Sequence, residues 1–433
     1  MLFHAKNKIF EILEVVHLRV FGHEMSPTMR DFLGHLSWSF LGIFFNGLML
    51  FGINVLAGRI LGPVGYGKYN LVLIIVNILS IFILLGLDIT SIKYISSSKE
   101  MEDKRQYLSN SFFIVLCSSF CVSMFFLFFA SQLAGLFHVD KNIFLLATIF
   151  AIIINLKSLL DSFIKSFNFF KFQSVAKIIE GIIILLFFLL FFFVLKLSNY
   201  QYYIFSLIAG YLCLGIIYFV KISGQLVGWD KQKFKNIIKY SRATIVLTVM
   251  GIVMVSMDRI FVGKALGLEQ LGIYSAYLVS TTGFVGQIIL ILDNVFSPTI
   301  NQIEDKDVII KKVDRLLILS LVPGTALMFL FSFAIMSAFG AKYQFNNLHV
   351  LIFSFAAFLQ IITSLYRSIV SSIEKSYMRL KKISYGLPLL FFTIYSVLIM
   401  ADAKTLNYFV WAYCLYVILN LLIIRLSYTK TNK

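Results

Sequence analysis

Lys157, Asp161 and Lys165 stand at i, i+4 and i+8 of the run NLKSLLDSFIKS, inside a long apolar segment. That spacing puts all three on one helical face. Two readings are open. One is an ion-pair ladder along a single helix. The other is a cationic stripe that captures an anion, with Asp161 keeping the lysines charged. Lys177 and Glu180, in the next apolar run, can extend the same patch. Other charges sit at comparable depth. Asp88 and Asp293 are candidates for ion coupling or gating, or for structural pairing and helix capping. Asp258 and Arg259 are neighbours that point about 100° apart on a helix and need not pair. Asp258 joins the coupling candidates, and Arg259 reads as an anchor snorkelling to the surface. Arg367 is either a similar anchor or a phosphate ligand; its planar fork suits a multi-oxygen anion better than a lysine does.

These charges matter because of their solvent. The chain of 433 residues is 59% hydrophobic and 14% charged, with 46 phenylalanines. A soluble domain is about 25% charged, so most side chains here must meet lipid. An ionisable group there is costly and calls for a functional or structural account. No zinc-type histidine spacing, phosphate-cradling glycine loop or nucleophile elbow is present. We therefore expect no cofactor and no metal. Cys117, Cys121, Cys213 and Cys414 lie in apolar runs without matching ligands and read as small core residues.

Twelve apolar runs are long enough to span a bilayer, each needing roughly 20 residues. They cover 32–57, 69–95, 109–134, 142–165, 173–196, 200–222, 241–266, 272–297, 313–337, 346–370, 383–402 and 405–427. With both termini inside, 30 of the 38 lysines and arginines fall in or beside inner segments. The positive-inside rule supports that orientation and that count. It also explains the formal charge of +17 without invoking nucleic acid. Residues 1–31 read as a cytoplasmic segment, either an amphipathic surface helix through Ile9, Leu13, Val16 and Val20 or a disordered tail; Glu11 and Glu14 rule out a signal-peptide core.

The stretch GRILGPVGYGKY, from Gly58, returns as GKALGLEQLGIY from Gly263, at an ungapped offset of 205. Gly62 aligns with Gly267, Gly67 with Gly272, Tyr69 with Tyr274, and farther on Asp88 with Asp293. Six spans separate the copies, so the halves have parallel orientation. We expect one lobe over 32–222, a basic cytoplasmic linker over 223–240, and a second lobe over 241–433. Two six-helix lobes with short loops describe a transporter body. The glycines and Pro63 predict a tight turn between spans one and two. Pro323 and Pro388 would kink spans nine and eleven.

The segment GRILGPVGYGKYNLVLIIVNILSIFILLGLDITSIKYIS resembles the first hairpin of Wzx-type O-antigen flippases and related polysaccharide exporters. Gly86, Leu87, Lys93 and Tyr94 approximate the G-L-x-x-x-x-[RK]-Y pattern that follows it, with one extra residue before Lys93. DRIFVGKALGLEQLGIYSAY, from Asp258, resembles the seventh-to-eighth helix hairpin of that family. The resemblance implies an all-α, V-shaped, MATE-like membrane fold in the bacterial inner membrane, and no enzyme activity. It implies a lipid-linked oligosaccharide on an undecaprenyl diphosphate carrier as cargo, moved by alternating access with a coupled ion gradient as one option. A polysaccharide polymerase and chain-length machinery would be partners. Lys93 is carried over by motif. Lys157, Lys165, Lys177 and Arg367 are cleft candidates from charge and depth. The alternatives are a cation-coupled small-molecule exporter, which would favour acidic pockets, and a membrane polysaccharide polymerase, which would need a sizeable outer loop. A nucleic-acid partner is not expected.

Overall fold

The computed structural model describes residues 27–136, 140–283, 285–286, 288–289, 300, 306–373, 386–401 and 404–428. The segment 1–26 and Asp293 lie outside them. The described chain is all helical, with no strand. In order come α1 (Pro27–Leu84), α2 (Leu87–Ser97), α3 (Met101–Phe128), α4 (Ala130–Leu136), α5 (Lys141–Ser166) and α6 (Phe170–Leu189). Then follow α7 (Tyr200–Ser223), α8 (Lys231–Leu278), α9 (Lys306–Phe339), α10 (Asn347–Ser371), α11 (Gly386–Met400) and α12 (Leu406–Ser427). Among the described residues, nine helical stretches are long and apolar enough to cross a membrane, and Gly386–Met400 is a shorter apolar helix. The outward faces are apolar, with Val322 and Phe128 each 77% exposed. Such surface is stable only against lipid.

Two of these helices are hairpins. α1 breaks at Gly62 (φ 68°, ψ 175°) and α8 at Gly267 (φ 83°, ψ −179°). Both fall in a backbone region that is essentially glycine-only. The chain doubles back at each. Tyr66 Oη donates to Asn54 Oδ1 at 3.0 Å, twelve residues back. On a straight helix those residues would be roughly 18 Å apart. Tyr274 Oη likewise reaches Asp258 Oδ2, sixteen residues back, at 3.1 Å. The expected turn is thus a reversal at one residue, and the aligned glycines share one backbone conformation.

The two hairpins also meet. A Cβ added at Gly67 would press on the backbone of Leu268 and Gly272; one at Gly272 would press on Pro63 and Gly67. Pro63 and Leu268 are themselves at the 205 offset, so the contact is reciprocal, a local two-fold. Only hydrogen side chains let backbones approach this closely. Nearby, Gly58 accepts a 2.8 Å hydrogen bond at its carbonyl from Tyr343 Oη and leaves room for the Phe339 ring.

From this crossing α8 runs along α1 and α2 toward the linker. Asn77 Nδ2 donates to Ser256 Oγ at 3.0 Å, and Thr90 and Thr244 hydroxyls meet at 3.0 Å. Span two is not the continuous helix expected over 69–95. It breaks at Leu85 (φ 52°) and Gly86 (φ 70°). Ser241 Oγ takes the freed carbonyl by donating to Leu85 O, and Thr244 Oγ1 adds a 3.1 Å bond to Gly86 O, which also accepts from Thr90 N. Hydroxyls from an adjacent helix make such a break tolerable in lipid. Pro323 sits within α9, which continues through it. A further correction concerns the cysteines. Cys414 is buried, but Cys117 and Cys121 are exposed on α3 and Cys213 is half-buried. In lipid an outward apolar face suits a small thiol as well as a core does.

Candidate functional site

The sequence-derived charges fall into three places. The first is a buried ion network in the N-terminal half. Lys157 Nζ lies 2.6 Å from Glu180 Oε1, across α5 and α6, and 4.0 Å from the Tyr211 ring centre on α7. Glu180 is 1% exposed and also accepts from Asn46 Nδ2 at 3.1 Å. Asp161 gathers Lys165 at 2.7 Å, Lys177 at 3.7 Å, Gln173 Nε2 at 2.7 Å and Tyr218 Oη at 3.1 Å. The stripe is therefore neither a single-helix ladder nor a row of bare cations. Three lysines share two carboxylates, and Lys157 reaches past Asp161 to the next helix.

The second place is the seam near the linker. Lys93 is exposed, its ammonium 3.5 Å from the Tyr240 ring centre. Tyr94 stacks on Tyr107 and donates to Asn236 O at 3.3 Å. Asp88 lies in the first turn of α2 after the Gly86 break, and its Oδ1 is buried without a hydrogen-bond partner. The linker is tied to α3. Val227 N donates to Ser109 Oγ at 2.8 Å, Asn110 Nδ2 to Asp230 O at 2.8 Å, Arg105 Nε to Gln225 Oε1 at 2.8 Å, and Lys233 pairs with Asp103.

The third place is a cavity of about 460 Å³ in the C-terminal half, between α8, α10 and α12. That volume lies in the ordinary range for small-molecule sites. Arg367 lines it from α10, one and two turns from Thr363, Ser364 and Gln360 on the same helical face. Asp258 and Arg259 line it from the first arm of the α8 hairpin, and Ser275 from the second. Doubling back at Gly267 brings those two arms together. Asp258 is 3% exposed with both oxygens engaged, by Arg259 N at 2.8 Å and by Tyr274 Oη. Arg259 donates from Nη2 to Val255 O at 2.7 Å, and its Nε is buried without a partner. The sequence reading sent this side chain to the surface; it is half-buried on the cavity wall instead. Neither guanidinium forms an ion pair among the described residues. Ser275 Oγ and Asn420 Oδ1, also on the wall, are buried and unpartnered too. Gln360 Nε2 donates to Tyr413 Oη at 2.8 Å.

Of the sequence-derived candidates, Asp258 and Arg367 line this cavity; Ser275, Gln360, Tyr413, Tyr416 and Asn420, also on its wall, were not among them. Gln360 and Asn420 are uncharged amides within apolar spans, which was the available signal. Among the described residues, no cluster of three His, Cys, Asp or Glu could hold a metal.

Residues 33–304 match the family described as "Polysaccharide biosynthesis protein". The chain belongs to this polysaccharide biosynthesis family. Among solved structures, it is similar to a Vibrio cholerae MATE transporter at 14% identity and TM-score 0.54, over 91% of this chain and 95% of that one. It is similar to an inward-facing multidrug-resistance MATE transporter at 11% identity and TM-score 0.52, over 90% and 94%. A MOP-superfamily transporter from Pyrococcus furiosus, whose binding pocket is described as reversed in polarity, matches at 9% and 0.50, over 90% and 92%. At these identities the likeness is one of fold. No curated protein sequence matches the chain significantly. Family, apolar helices and fold together make this member of the polysaccharide biosynthesis family a multi-pass membrane protein with a MATE-like fold.

Proposed function

We propose that this protein moves an undecaprenyl-diphosphate-linked oligosaccharide from the inner to the outer leaflet of the cytoplasmic membrane, for O-antigen or related surface polysaccharide assembly. The observation that carries the reading is the cavity bearing Arg259 and Arg367, two guanidiniums that form no ion pair among the described residues. A diphosphate and its sugars cannot cross hydrocarbon unaided. Fork-shaped cations bind phosphate oxygens through charge-assisted, often bidentate bonds. Sugars fit the hydroxyls and amides beside them, while the polyprenyl tail stays in lipid. No covalent bond need change, so the protein acts as a transporter and not as an enzyme. A cationic drug would meet two like charges here, which weighs against the small-molecule exporter. The short connections leave a polymerase without a catalytic loop.

In this reading two six-span lobes, 32–222 and 241–433, flank the cargo path, with both termini and the 223–240 linker in the cytoplasm. The lobes rock about the glycine crossing. The lysines at 157, 165 and 177, being paired, support the N-terminal lobe and supply a positive field. Asp88, Asp161, Asp258 and Asp293 remain the candidates for an ion coupled to that motion. Polymerase and chain-length proteins would act on the delivered cargo.

The test is a deletion strain complemented with Arg259→Gln, Arg367→Gln or the double variant. Wild type should restore surface glycan. The double variant, at equal protein level, should leave lipid-linked repeat units on the inner leaflet. Full surface glycan in the double variant would sink the proposal.

A further inference from the structure

A second groove lies where the linker crosses the start of α3. Its volume is about 470 Å³. Phe112, Phe113 and Leu116 line it from α3, and Leu226, Val227 and Trp229 from the linker. Phe113 and Trp229 meet edge to face with ring centres 5.2 Å apart, yet stay 54% and 49% exposed. The groove is separate from the arginine cavity. Lys231 begins α8 just after Trp229, and Asp258 stands far along the same helix. At 1.5 Å per residue the two are about 40 Å apart.

The groove has an apolar end and a polar end. Arg105, Ser109, Phe112 and Leu116 follow one another at i, i+4, i+7 and i+11, on one face of α3. Past Leu116 the same face carries Phe120 and Leu127, both exposed, so the groove opens onto the apolar outside of the helix. At the other end, Arg105 Nε donates to Gln225 Oε1 at 2.8 Å, next to Leu226. Among the described residues that is the one hydrogen bond of Arg105, and it forms no ion pair. Lys104, Lys231 and Lys235 form no ion pair there either. The nearby acids are engaged. Asp103 is paired with Lys233, Asp230 caps α8 through Lys233 N, and Glu102 accepts from Gln106.

An apolar slot with an indole at its rim and cations at one end matches an anionic amphipath. Tryptophan prefers the headgroup level of a bilayer. Lysines and arginines beside a span attract anionic lipid, and a guanidinium fork suits phosphate oxygens. We infer that this groove holds an anionic phospholipid of the linker-side leaflet, with an acyl chain between Phe113 and Trp229 and the phosphate against Arg105 and Lys231. The linker is pinned across the groove by Val227 N to Ser109 Oγ and Asn110 Nδ2 to Asp230 O, both at 2.8 Å. A fixed wall of this kind suits a resident lipid and not a carrier in transit. The lipid fastens the linker between the two halves to α3. This inference does not rest on the identity of the cargo.

The experiment uses the full-length protein in vesicles. Trp38→Phe and Trp411→Phe leave Trp229 as the one tryptophan reporter. The probes are phosphatidylglycerol and phosphatidylcholine with brominated chains, which quench indole fluorescence on contact, each diluted into ordinary phosphatidylcholine. Phosphatidylglycerol should reach half-maximal quenching at a mole fraction roughly ten-fold lower than phosphatidylcholine. Arg105→Gln keeps a donor for Gln225 and should cut that preference about five-fold, the scale of one basic residue at an anionic surface. Arg105→Gln/Lys231→Gln should abolish it. Unchanged quenching by brominated phosphatidylcholine in these variants reports an intact groove. Arg59→Gln, far away beside the α1 reversal, should leave the preference as it is. Equal quenching of the wild-type groove by both lipids, or an undiminished preference in the double variant, overturns the inference. So does displacement of brominated phosphatidylglycerol by a tenth as much undecaprenyl diphosphate, which would give the groove to the carrier.

Discussion

Replacing Gly67 by alanine adds one methyl group at the point where the two hairpins cross. Its Cβ would stand 2.8 Å from the carbonyl carbon of Leu268 and 3.3 Å from Gly272 N, with the Leu268 carbonyl oxygen closer still. Ordinary van der Waals contact begins near 3.4 Å. The obstacle is backbone on a packed helix, so no rotamer change relieves it. The helices must part by about an ångström, and small-residue packing of this kind is a main source of helix association in lipid. Overpacking of this sort costs about 1–3 kcal/mol. Gly272→Ala should cost a similar amount, because its Cβ meets Pro63 and Gly67 in the mirrored arrangement, 3.0 Å from Gly67 N. One separation relieves both clashes. The double variant should therefore lose less than the sum of the singles, with a coupling of about 1 kcal/mol. Gly215→Ala on α7 is the control. Nothing lies within 4 Å of its added Cβ, and alanine is the better helix former by about 1 kcal/mol. The assay is thermal unfolding of the purified protein in one detergent, alongside export in cells. If Gly67→Ala melts like Gly215→Ala, or if the double variant is strictly additive, the reciprocal crossing is not the contact described.

The remaining predictions rest on other features. Gly62→Ala and Gly267→Ala force a side chain into a glycine-only backbone region and should each cost about 1–3 kcal/mol; unchanged melting would refute the one-residue reversal. Lys157→Met strands a buried Glu180 carboxylate and should cost about 3–5 kcal/mol, while Lys157→Met/Glu180→Leu should recover most of it. A double variant as unstable as the single would show that the pair is not coupled. Thr244→Val removes the hydroxyl shared by Gly86 O and Thr90 and should cost about 1 kcal/mol, read by melting, with no change in the affinity for undecaprenyl diphosphate. A lost affinity would place the α2 break in the binding machinery.

Much of this protein follows from local sequence, because hydropathy and glycine act locally. Twelve apolar runs demand lipid whatever their neighbours. Gly62 and Gly267 permit a reversal that no other residue tolerates, so an aligned pair of glycines announced an aligned pair of hairpins. The motif at Gly58 likewise pointed to the family that the 33–304 match shows. The charges were different. Asp161 and Lys165 did pair at i and i+4. Lys157 was as well spaced to do so, yet it pairs with Glu180, twenty-three residues away. Partner choice inside a membrane depends on which helices become neighbours, and spacing along one helix carries no record of that. The break at Gly86 was hidden for the same reason, since its carbonyl partners come from Ser241 and Thr244 on α8. The cavity is the clearest case. Asp258 and Ser275 lie on opposite arms of a hairpin, and Arg367 and Asn420 come from separate helices. Only packing brings them to one wall and leaves Arg259 Nε, Ser275 Oγ and Asn420 Oδ1 without partners. An unmet hydrogen bond is a property of the surroundings, and the surroundings of these atoms exist only in the folded chain.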